Sequence, residues 1–194
     1  MYLFFDTETT GLPKNWKAPM TEVDNWPRII QLGYQLYNTK QELVKEYAQL
    51  IQPDGWVIPK EKFWIDHGYS TEQNVKEGIP MPNAIQEFIQ DIEKSQHIVA
   101  HNLSYDHNVL GAEMIRYGQF TRHKTNKYCT KDLTVDFCKL PGNYGKYKWP
   151  KLEELHQILF NENFDGAHDA LNDVRATARC FFELLNRKEI NLIK

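Results

Sequence analysis

The sequence predicts an α/β domain in which helices flank a mixed central sheet. Three observations lead to this fold class: strand-like segments come first, strand and helix patterns alternate after them, and 194 residues suffice for one domain with a sizeable core. Hydrophobic residues make up 41% and charged residues 25% of the chain, which is ordinary for a globular protein. Since no repeat or linker is visible, we expect residues 1–194 to form a single domain.

Five segments carry the pattern of β-strands. Tyr2–Asp6 is a short apolar run that is typical of a buried strand. Ile29–Tyr37 alternates apolar and polar residues, and Leu43–Ile51 follows it across a short polar turn, which predicts a hairpin. Two further short strands are expected at His97–His101 and Lys127–Thr130.

Four segments place apolar residues at helical spacing. Pro82 suits the first turn of the first helix, and the second helix is expected near Ser104–Tyr117 with Ser104 as its N-cap. The apolar stripes of the first, third and fourth helices consist of Ile85, Phe88, Ile89 and Ile92; of Leu152, Leu155, Ile158 and Leu159; and of Leu171, Val174, Ala178, Phe181, Phe182 and Leu185.

The cysteines and the N-terminus bear on where the protein works. Cys129, Cys138 and Cys180 are odd in number and form no CxxC pair, so we expect reduced thiols, a cytoplasmic location and no cysteine-bound zinc. The first apolar run ends at Phe5 without a basic region before it, which argues against a signal peptide. No segment of the sequence is long and apolar enough to cross a bilayer.

The charge distribution points to nucleic acid more clearly than the net charge of -3 does. Met114–Lys131 contains five Lys or Arg residues and no acid. Phe137–Leu152 contains four lysines and no acid, interleaved with Tyr144, Tyr147 and Trp149. Phosphate contacts from cations and base stacking on aromatic rings would use such segments, although solvated loops have the same composition.

The first acidic cluster is Asp6-Thr7-Glu8, at the end of the first predicted strand. Side chains at i and i+2 point to the same face of a strand, so both carboxylates converge on one place. Two neighbouring anions repel each other unless a cation lies between them, and oxygen ligands of this kind suit Mg²⁺ or Mn²⁺. On spacing alone, the pair is more typical of solvated acids at a strand end, but the apolar run before it and the Thr-Thr-Gly-Leu after it favour a site at the sheet edge.

Two more clusters lie where helices are expected to begin. Asp106 falls in the first turn of the second helix, where the helix dipole favours a carboxylate. His168 and Asp173 are five residues apart and would not share one face of a helix, so we expect His168 to precede the last helix, with Asp169 as its cap. A histidine there could accept a proton from water near neutral pH.

Together these motifs resemble those of the DEDD exonucleases, in the subgroup with a histidine base. These enzymes have the ribonuclease H-like fold and include the proofreading epsilon subunit of bacterial DNA polymerase III. The motifs, which occur in the family's order, are Phe5-Asp6-Thr7-Glu8-Thr9-Thr10-Gly11-Leu12, His101-Asn102-Leu103-Ser104-Tyr105-Asp106 and His168-Asp169-Ala170-Leu171-Asn172-Asp173. The segment His67-Gly68-Tyr69-Ser70 also resembles a His-Gly segment of this family.

The resemblance implies a 3′→5′ exonuclease that uses two divalent metal ions, Mg²⁺ or Mn²⁺. Asp6, Glu8 and Asp173 would hold one ion, Asp6 and Asp106 the other, and His168 would take the proton from the attacking water. The residues that it implies in substrate binding are Thr9, Leu12, His67, Asn102 and Tyr105. The substrate would be nucleic acid with a free 3′ end, with single-stranded DNA favoured, and the product nucleoside 5′-monophosphates.

Two other functions stay open at this point. One is an RNA-trimming exonuclease with the same site, since the carboxylates do not distinguish the sugars. The other is a catalytically silent nucleic-acid-binding module, against which the presence of all five catalytic residues argues. A link to a DNA polymerase or repair complex also stays open. Against stable membership of a polymerase complex, we expect no polymerase-binding tail like that of the proofreading subunit. The loop Pro13–Pro27 has no assigned role.

Overall fold

The centre of the molecule is a five-stranded sheet, seen in a computed structural model that describes residues 1–193. Its strands are β1 (Tyr2–Thr9), β2 (Ile29–Tyr37), β3 (Leu43–Leu50), β4 (His97–Ala100) and β5 (Asn126–Cys129). They lie in the order β3-β2-β1-β4-β5. β1, β2 and β3 pair antiparallel, whereas β4 runs parallel to β1 and β5 parallel to β4. This mixed sheet confirms the predicted fold class.

Helices cover both faces of the sheet. They are α1 (Lys62–Asp66), α2 (Thr71–Glu77), α3 (Met81–Ile92), α4 (Leu103–Arg116), α5 (Thr130–Leu133), α6 (Val135–Cys138), α7 (Leu152–Phe160) and α8 (Ala170–Asn186). The four predicted helices correspond to α3, α4, α7 and α8. Within residues 1–193, no helix combines the length and the apolar character that crossing a membrane requires.

Two apolar cores lie on opposite sides of the sheet, because alternate residues of β1 point to opposite faces. Leu3 and Phe5 belong to the core beneath α3 and α4, where the rings of Phe5 and Phe88 are 5.4 Å apart. Phe4 belongs to the core beneath α7 and α8, 5.1 Å from the ring of Phe182. The sheet is therefore packed by apolar side chains on both faces.

β2 is buried on both faces, whereas its sequence alternates between an apolar and a polar set. The polar set is buried because α8 packs across it. At Gly33, an added Cβ would lie 2.8 Å from the carbonyl carbon of Ala170, the first residue of α8. Gly33 thus allows the start of α8 to approach the sheet beside β1.

Candidate active site

Three parts of the fold bring the predicted acidic residues to one edge of the sheet. Asp6 and Glu8 lie on the same face of β1, which continues to Thr9 rather than ending at Asp6. Asp106 is in the first turn of α4, and Asp173 is in the first turn of α8. Potential ligand atoms of Glu8, His168 and Asp173 all lie within 4.8 Å of one another.

Asp106 is fixed by β1 rather than by solvent. Its Oδ1 accepts hydrogen bonds from the backbone N–H of Thr7 at 3.1 Å and from the Thr7 hydroxyl at 2.7 Å. The prediction that Ser104 caps α4 is wrong. The N-cap lies two residues earlier, at Asn102 in a left-handed conformation with φ 81°, and the helix begins at Leu103. That conformation turns the chain sharply out of β4 and still leaves Asp106 in the first turn.

The start of α8 holds His168 next to Asp173, as the five-residue spacing predicts. Asp169 is the N-cap and its side chain accepts a hydrogen bond from the backbone N–H of Asn172 at 3.1 Å. His168 precedes the helix in a left-handed conformation with φ 69°. Its backbone N–H donates to Oδ2 of Asp173 at 3.3 Å.

The four carboxyl groups of Asp6, Glu8, Asp106 and Asp173 are harder to ionise than ordinary acids. Burial is the main cause for each, and it raises the pKa of Glu8 to about 8 and that of Asp106 and of Asp173 to about 7. Burial and the charges of Asp106, Glu8 and Asp173 raise the pKa of Asp6 well above its usual range. When these groups are ionised, their like charges repel one another at short distance.

These residues fit divalent cations. Among the described residues, none of the four carboxylates has a Lys or Arg partner within salt-bridge distance. Oδ1 of Asp173 is buried and has no hydrogen-bond partner, although buried carboxylate oxygens are normally satisfied. Carboxylate oxygens are the ligands that Mg²⁺ and Mn²⁺ prefer. A bound cation would supply the missing partner and offset the repulsion.

His168 lies in an aromatic cluster with His67 and Phe63. The His168 ring centroid is 4.9 Å from that of His67 and 5.3 Å from that of Phe63. Burial and the charge of His67 lower the pKa of His168. The imidazole is therefore neutral at neutral pH, which is the state that a general base requires.

A hydrogen-bond network that the sequence did not reveal supports the His168 loop. The Tyr69 hydroxyl lies 2.7 Å from Oε1 of Gln31 and 3.1 Å from the carbonyl of His168. The Gln31 amide donates to Oδ2 of Asp169 at 2.9 Å. Gln31 belongs to the polar set of β2, but its partners are more than thirty residues away, so no local pattern marks them.

Two clefts flank the carboxylates. One, of about 430 Å³, is largely apolar, and Thr9, Leu12, Asn102 and Tyr105 line it. Its other lining residues are Thr7, Glu8, Gly11, Trp16, Phe63 and Trp64. Four of the five predicted substrate-binding residues therefore share one cleft, whereas His67 packs against His168.

The second cleft has a volume of about 440 Å³ and a more polar lining. Asp6, His168 and Asp173 contribute to it together with Lys131 and Trp149. The rest of its lining is His101, Asn102, Pro150, Lys151, Leu152 and Glu153. Glu153, which the sequence analysis did not single out, adds a further acid and contributes to the raised pKa of Asp173. The carboxylates lie between an apolar cleft and one with basic residues.

The turn after β1 is held in shape by side-chain contacts. The Tyr105 hydroxyl donates to the carbonyl of Gly11 at 2.7 Å and lies 2.6 Å from Oγ1 of Thr9. The indole N–H of Trp64 donates to the Thr9 carbonyl at 3.0 Å. Leu12 follows this turn, is 73% exposed and lines the apolar cleft.

Comparisons with known proteins agree with this geometry. A family model described as exonuclease, RNase_T, matches residues 3–181. The chain is 28% identical over 185 residues to the PolC-type DNA polymerase III of Streptococcus mutans. That match covers 95% of this chain but only 11% of the polymerase.

Solved structures share the fold. Exonuclease I of E. coli in complex with a dT13 oligonucleotide has a TM-score of 0.72 and 18% identity, covering 95% of this chain and 40% of that one. The zinc-ion-bound form of the E. coli Exonuclease I complex with single-stranded DNA has the same TM-score and identity, over 96% and 41%. The chain thus spans less than half the length of these proteins.

Proposed function

The chain belongs to the RNase_T exonuclease family, and from this membership we propose that it is a 3′→5′ exonuclease. Its substrate is single-stranded DNA, from whose 3′ end it releases nucleoside 5′-monophosphates. The observation that carries this proposal is the meeting of Asp6, Glu8, Asp106 and Asp173 with His168 at one sheet edge. Residues 1–194 would act as one exonuclease domain.

Two divalent cations, Mg²⁺ or Mn²⁺, fit the carboxylate cluster. Asp6, Glu8 and Asp173 would hold one, while Asp6 and Asp106 would hold the other. When bound, such a pair activates the attacking water and stabilises the leaving 3′ oxygen. The oxygen-only ligands and the unpartnered Oδ1 of Asp173 support this assignment.

His168 would act as the general base. An imidazole nitrogen of its neutral ring accepts the proton of the attacking water, and the lowered pKa keeps that nitrogen free. The contact from its backbone N–H to Asp173 keeps the ring at the edge of the carboxylate cluster. The Tyr69 and Gln31 contacts hold the loop so that the ring stays in place.

The apolar cleft would receive the 3′-terminal nucleotide. Leu12, Trp16 and Phe63 offer apolar and aromatic surface to a base, beside Glu8. The turn that carries Leu12 is pinned by Tyr105 and Trp64, so it would not yield to a strand continuing past the site. This geometry favours removal of terminal nucleotides over cleavage within a strand.

RNA is the second candidate substrate, because the same carboxylates and histidine would serve an exoribonuclease. Recognition of RNA requires a contact with the 2′-hydroxyl. DNA is favoured because the similar Exonuclease I was solved with dT13 and the PolC-type relative is a DNA polymerase. The latter similarity also makes a replicative or repair polymerase a candidate partner. A silent binding module is disfavoured, since every catalytic residue type is present.

The test uses 5′-labelled single strands of DNA and of RNA with Mg²⁺ or Mn²⁺. We expect a ladder of products that shorten from the 3′ end, faster on DNA, and no product in EDTA or with Asp6→Asn. A covalently closed circular single strand should survive under the same conditions. Cutting of the circle as fast as the linear strand, absent in Asp6→Asn, would show an endonuclease instead.

A further inference from the structure

The segment Lys139–Lys151 forms a basic, aromatic loop beside the second cleft. A bridge between Pro141 and Tyr147 closes it, with a hydrogen bond from the backbone N–H of Gly142 to the carbonyl of Lys146 at 2.9 Å. The segment contains four lysines, two tyrosines and a tryptophan, but no acid. It is therefore a structured loop with the composition of a strand-binding surface.

The base of this loop is tied to the second sequence motif through His101. Nε2 of His101 lies 3.1 Å from the carbonyl of Pro150, and Nδ1 lies 2.9 Å from Oγ1 of Thr130. Because a carbonyl only accepts, Nε2 carries the proton and Nδ1 accepts from the Thr130 hydroxyl. Pro150 is buried. The loop is thus anchored at the point where it meets the active site.

Trp149 stands at this anchored point and is 62% exposed. It lines the same cleft as Asp6, Asp173 and His168. Nζ of Lys131 lies 5.2 Å from the centroid of its ring. A large aromatic ring exposed to solvent beside a carboxylate cluster, on a fixed support, is suited to stacking with a ligand.

Two lysines in the cleft are available for phosphate. Lys131 donates to Oδ1 of Asn102 at 2.8 Å, which holds its ammonium group in the cleft. Lys151 is fixed through its backbone, whose N–H donates to Glu154 at 2.8 Å. Within the described part of the chain, neither lysine forms a salt bridge, whereas Lys148 pairs with Glu154 at 2.5 Å. The two cations therefore remain able to pair with an anion.

Arg116 and Lys127, two residues of the other basic stretch, have partners outside the second cleft. Arg116 donates to backbone carbonyls, including that of Trp26 at 2.7 Å, and pairs with Glu113 at 3.1 Å. Lys127 contacts His107 at 2.7 Å, away from the second cleft. Of the residues in the two basic stretches, Lys131, Trp149 and Lys151 line the second cleft and are the candidates for contact with the strand.

We propose that Trp149, Lys131 and Lys151 form a binding subsite for the nucleotide immediately upstream of the scissile phosphate. The base stacks on the Trp149 ring, and the lysines contact the phosphate on its 5′ side. Stacking accepts every base, so the subsite binds single strands irrespective of sequence. This inference rests on the proposed exonuclease function and adds a substrate contact that none of the three motifs contains.

Two substrates isolate the subsite. A trithymidylate occupies it, whereas the methyl ester of thymidine 5′-monophosphate has a leaving group that is too small and not aromatic, so it presents only the terminal nucleotide. For Trp149→Ala, we expect the ratio of the trithymidylate KM to the ester KM to rise about 10-fold to 100-fold, the loss expected for one stacked base. Trp149→Phe should restore most of it. Tyr144→Ala is the matched control, since Tyr144 belongs to the same loop and is fully exposed but does not line the second cleft.

The outcomes separate the subsite from the exonuclease proposal. An unchanged KM ratio in Trp149→Ala, or an equal loss on both substrates, would overturn the subsite. If the wild-type protein hydrolyses neither substrate, the exonuclease proposal fails. Binding of a labelled trithymidylate in Ca²⁺, measured by fluorescence anisotropy, then decides the subsite by itself: weaker binding by Trp149→Ala supports it, and equal binding refutes it.

Discussion

Removing one charge from the carboxylate cluster should stabilise the metal-free protein, and Asp106 is the best position for the experiment. Its side chain is 2% exposed, and its Oδ1 accepts two hydrogen bonds from Thr7. Asparagine keeps an oxygen that accepts these bonds but cannot ionise. Asp106→Asn therefore changes the charge of the site with little change in shape.

The magnitude follows from the pKa of Asp106. Burial, with a contribution from the charge of Asp173 and against the hydrogen bonds from Thr7, raises this pKa to about 7. In the unfolded chain the group ionises near an ordinary pKa of about 3.9. Because the folded pKa is raised, the stability is complete below the unfolded pKa and is lost as the pH rises through about 7. The loss in the free energy of unfolding is about 2–4 kcal/mol by pH 8. The lower value applies if the neighbouring acids change their protonation when Asp106 ionises.

The assay is urea unfolding of wild type and Asp106→Asn in EDTA, near pH 4 and near pH 8. We expect similar midpoints at the lower pH and a more stable variant at the higher pH. Adding Mg²⁺ should stabilise the wild type more than the variant. Asp54→Asn, at an exposed loop position, is the control and should change neither midpoint. A variant less stable than the wild type near pH 8 in EDTA would refute the reasoning.

Two other perturbations test the base and the approach of α8. His168→Gln should slow hydrolysis about 10²–10⁴-fold while keeping stabilisation by Mg²⁺. The rate of the wild-type protein should fall with decreasing pH only below about 6.5, since the pKa of His168 is lowered. If His168→Gln hydrolyses DNA as fast as the wild type, His168 is not the base. Gly33→Ala should cost about 1–3 kcal/mol in thermal unfolding, because its Cβ would meet the backbone of Ala170. Gly111→Ala meets only the flexible side chain of Met20 and should cost less; equal costs would contradict this account.

The sequence predicted the long helices well and the short helices poorly, for a physical reason. α3, α4, α7 and α8 have nine or more residues, enough for apolar residues to repeat at helical spacing. α1, α2, α5 and α6 have four to seven residues and show no such repeat. The extension of β1 to Thr9 depends on pairing with β2, where Glu8 faces Gln31. The polar residues at the end of β1 do not by themselves predict that the strand continues through pairing with β2.

Within the site, local spacing predicted positions and distant contacts remained hidden. The common face of Asp6 and Glu8 follows from strand geometry, and the loop position of His168 follows from its spacing to Asp173. By contrast, the hydroxyl of Tyr69 reaches the His168 carbonyl across 99 positions of the chain. Such contacts depend on how β2, α8 and the loop before α2 pack together, which no local pattern encodes.

The energies at this sheet edge explain why the site needs cations. Asp106 and Asp173 lie in the first turns of α4 and α8, where each helix dipole stabilises a carboxylate by about 0.3–1 kcal/mol. A pKa raised to about 7 corresponds to a cost of about 4 kcal/mol for ionising either group. Burial and mutual repulsion therefore outweigh the helix dipoles several-fold. Because none of the four carboxylates has a basic partner within the described residues, a divalent cation is what can hold them all ionised at neutral pH. Withdrawal of the cation should then remove activity and stability together.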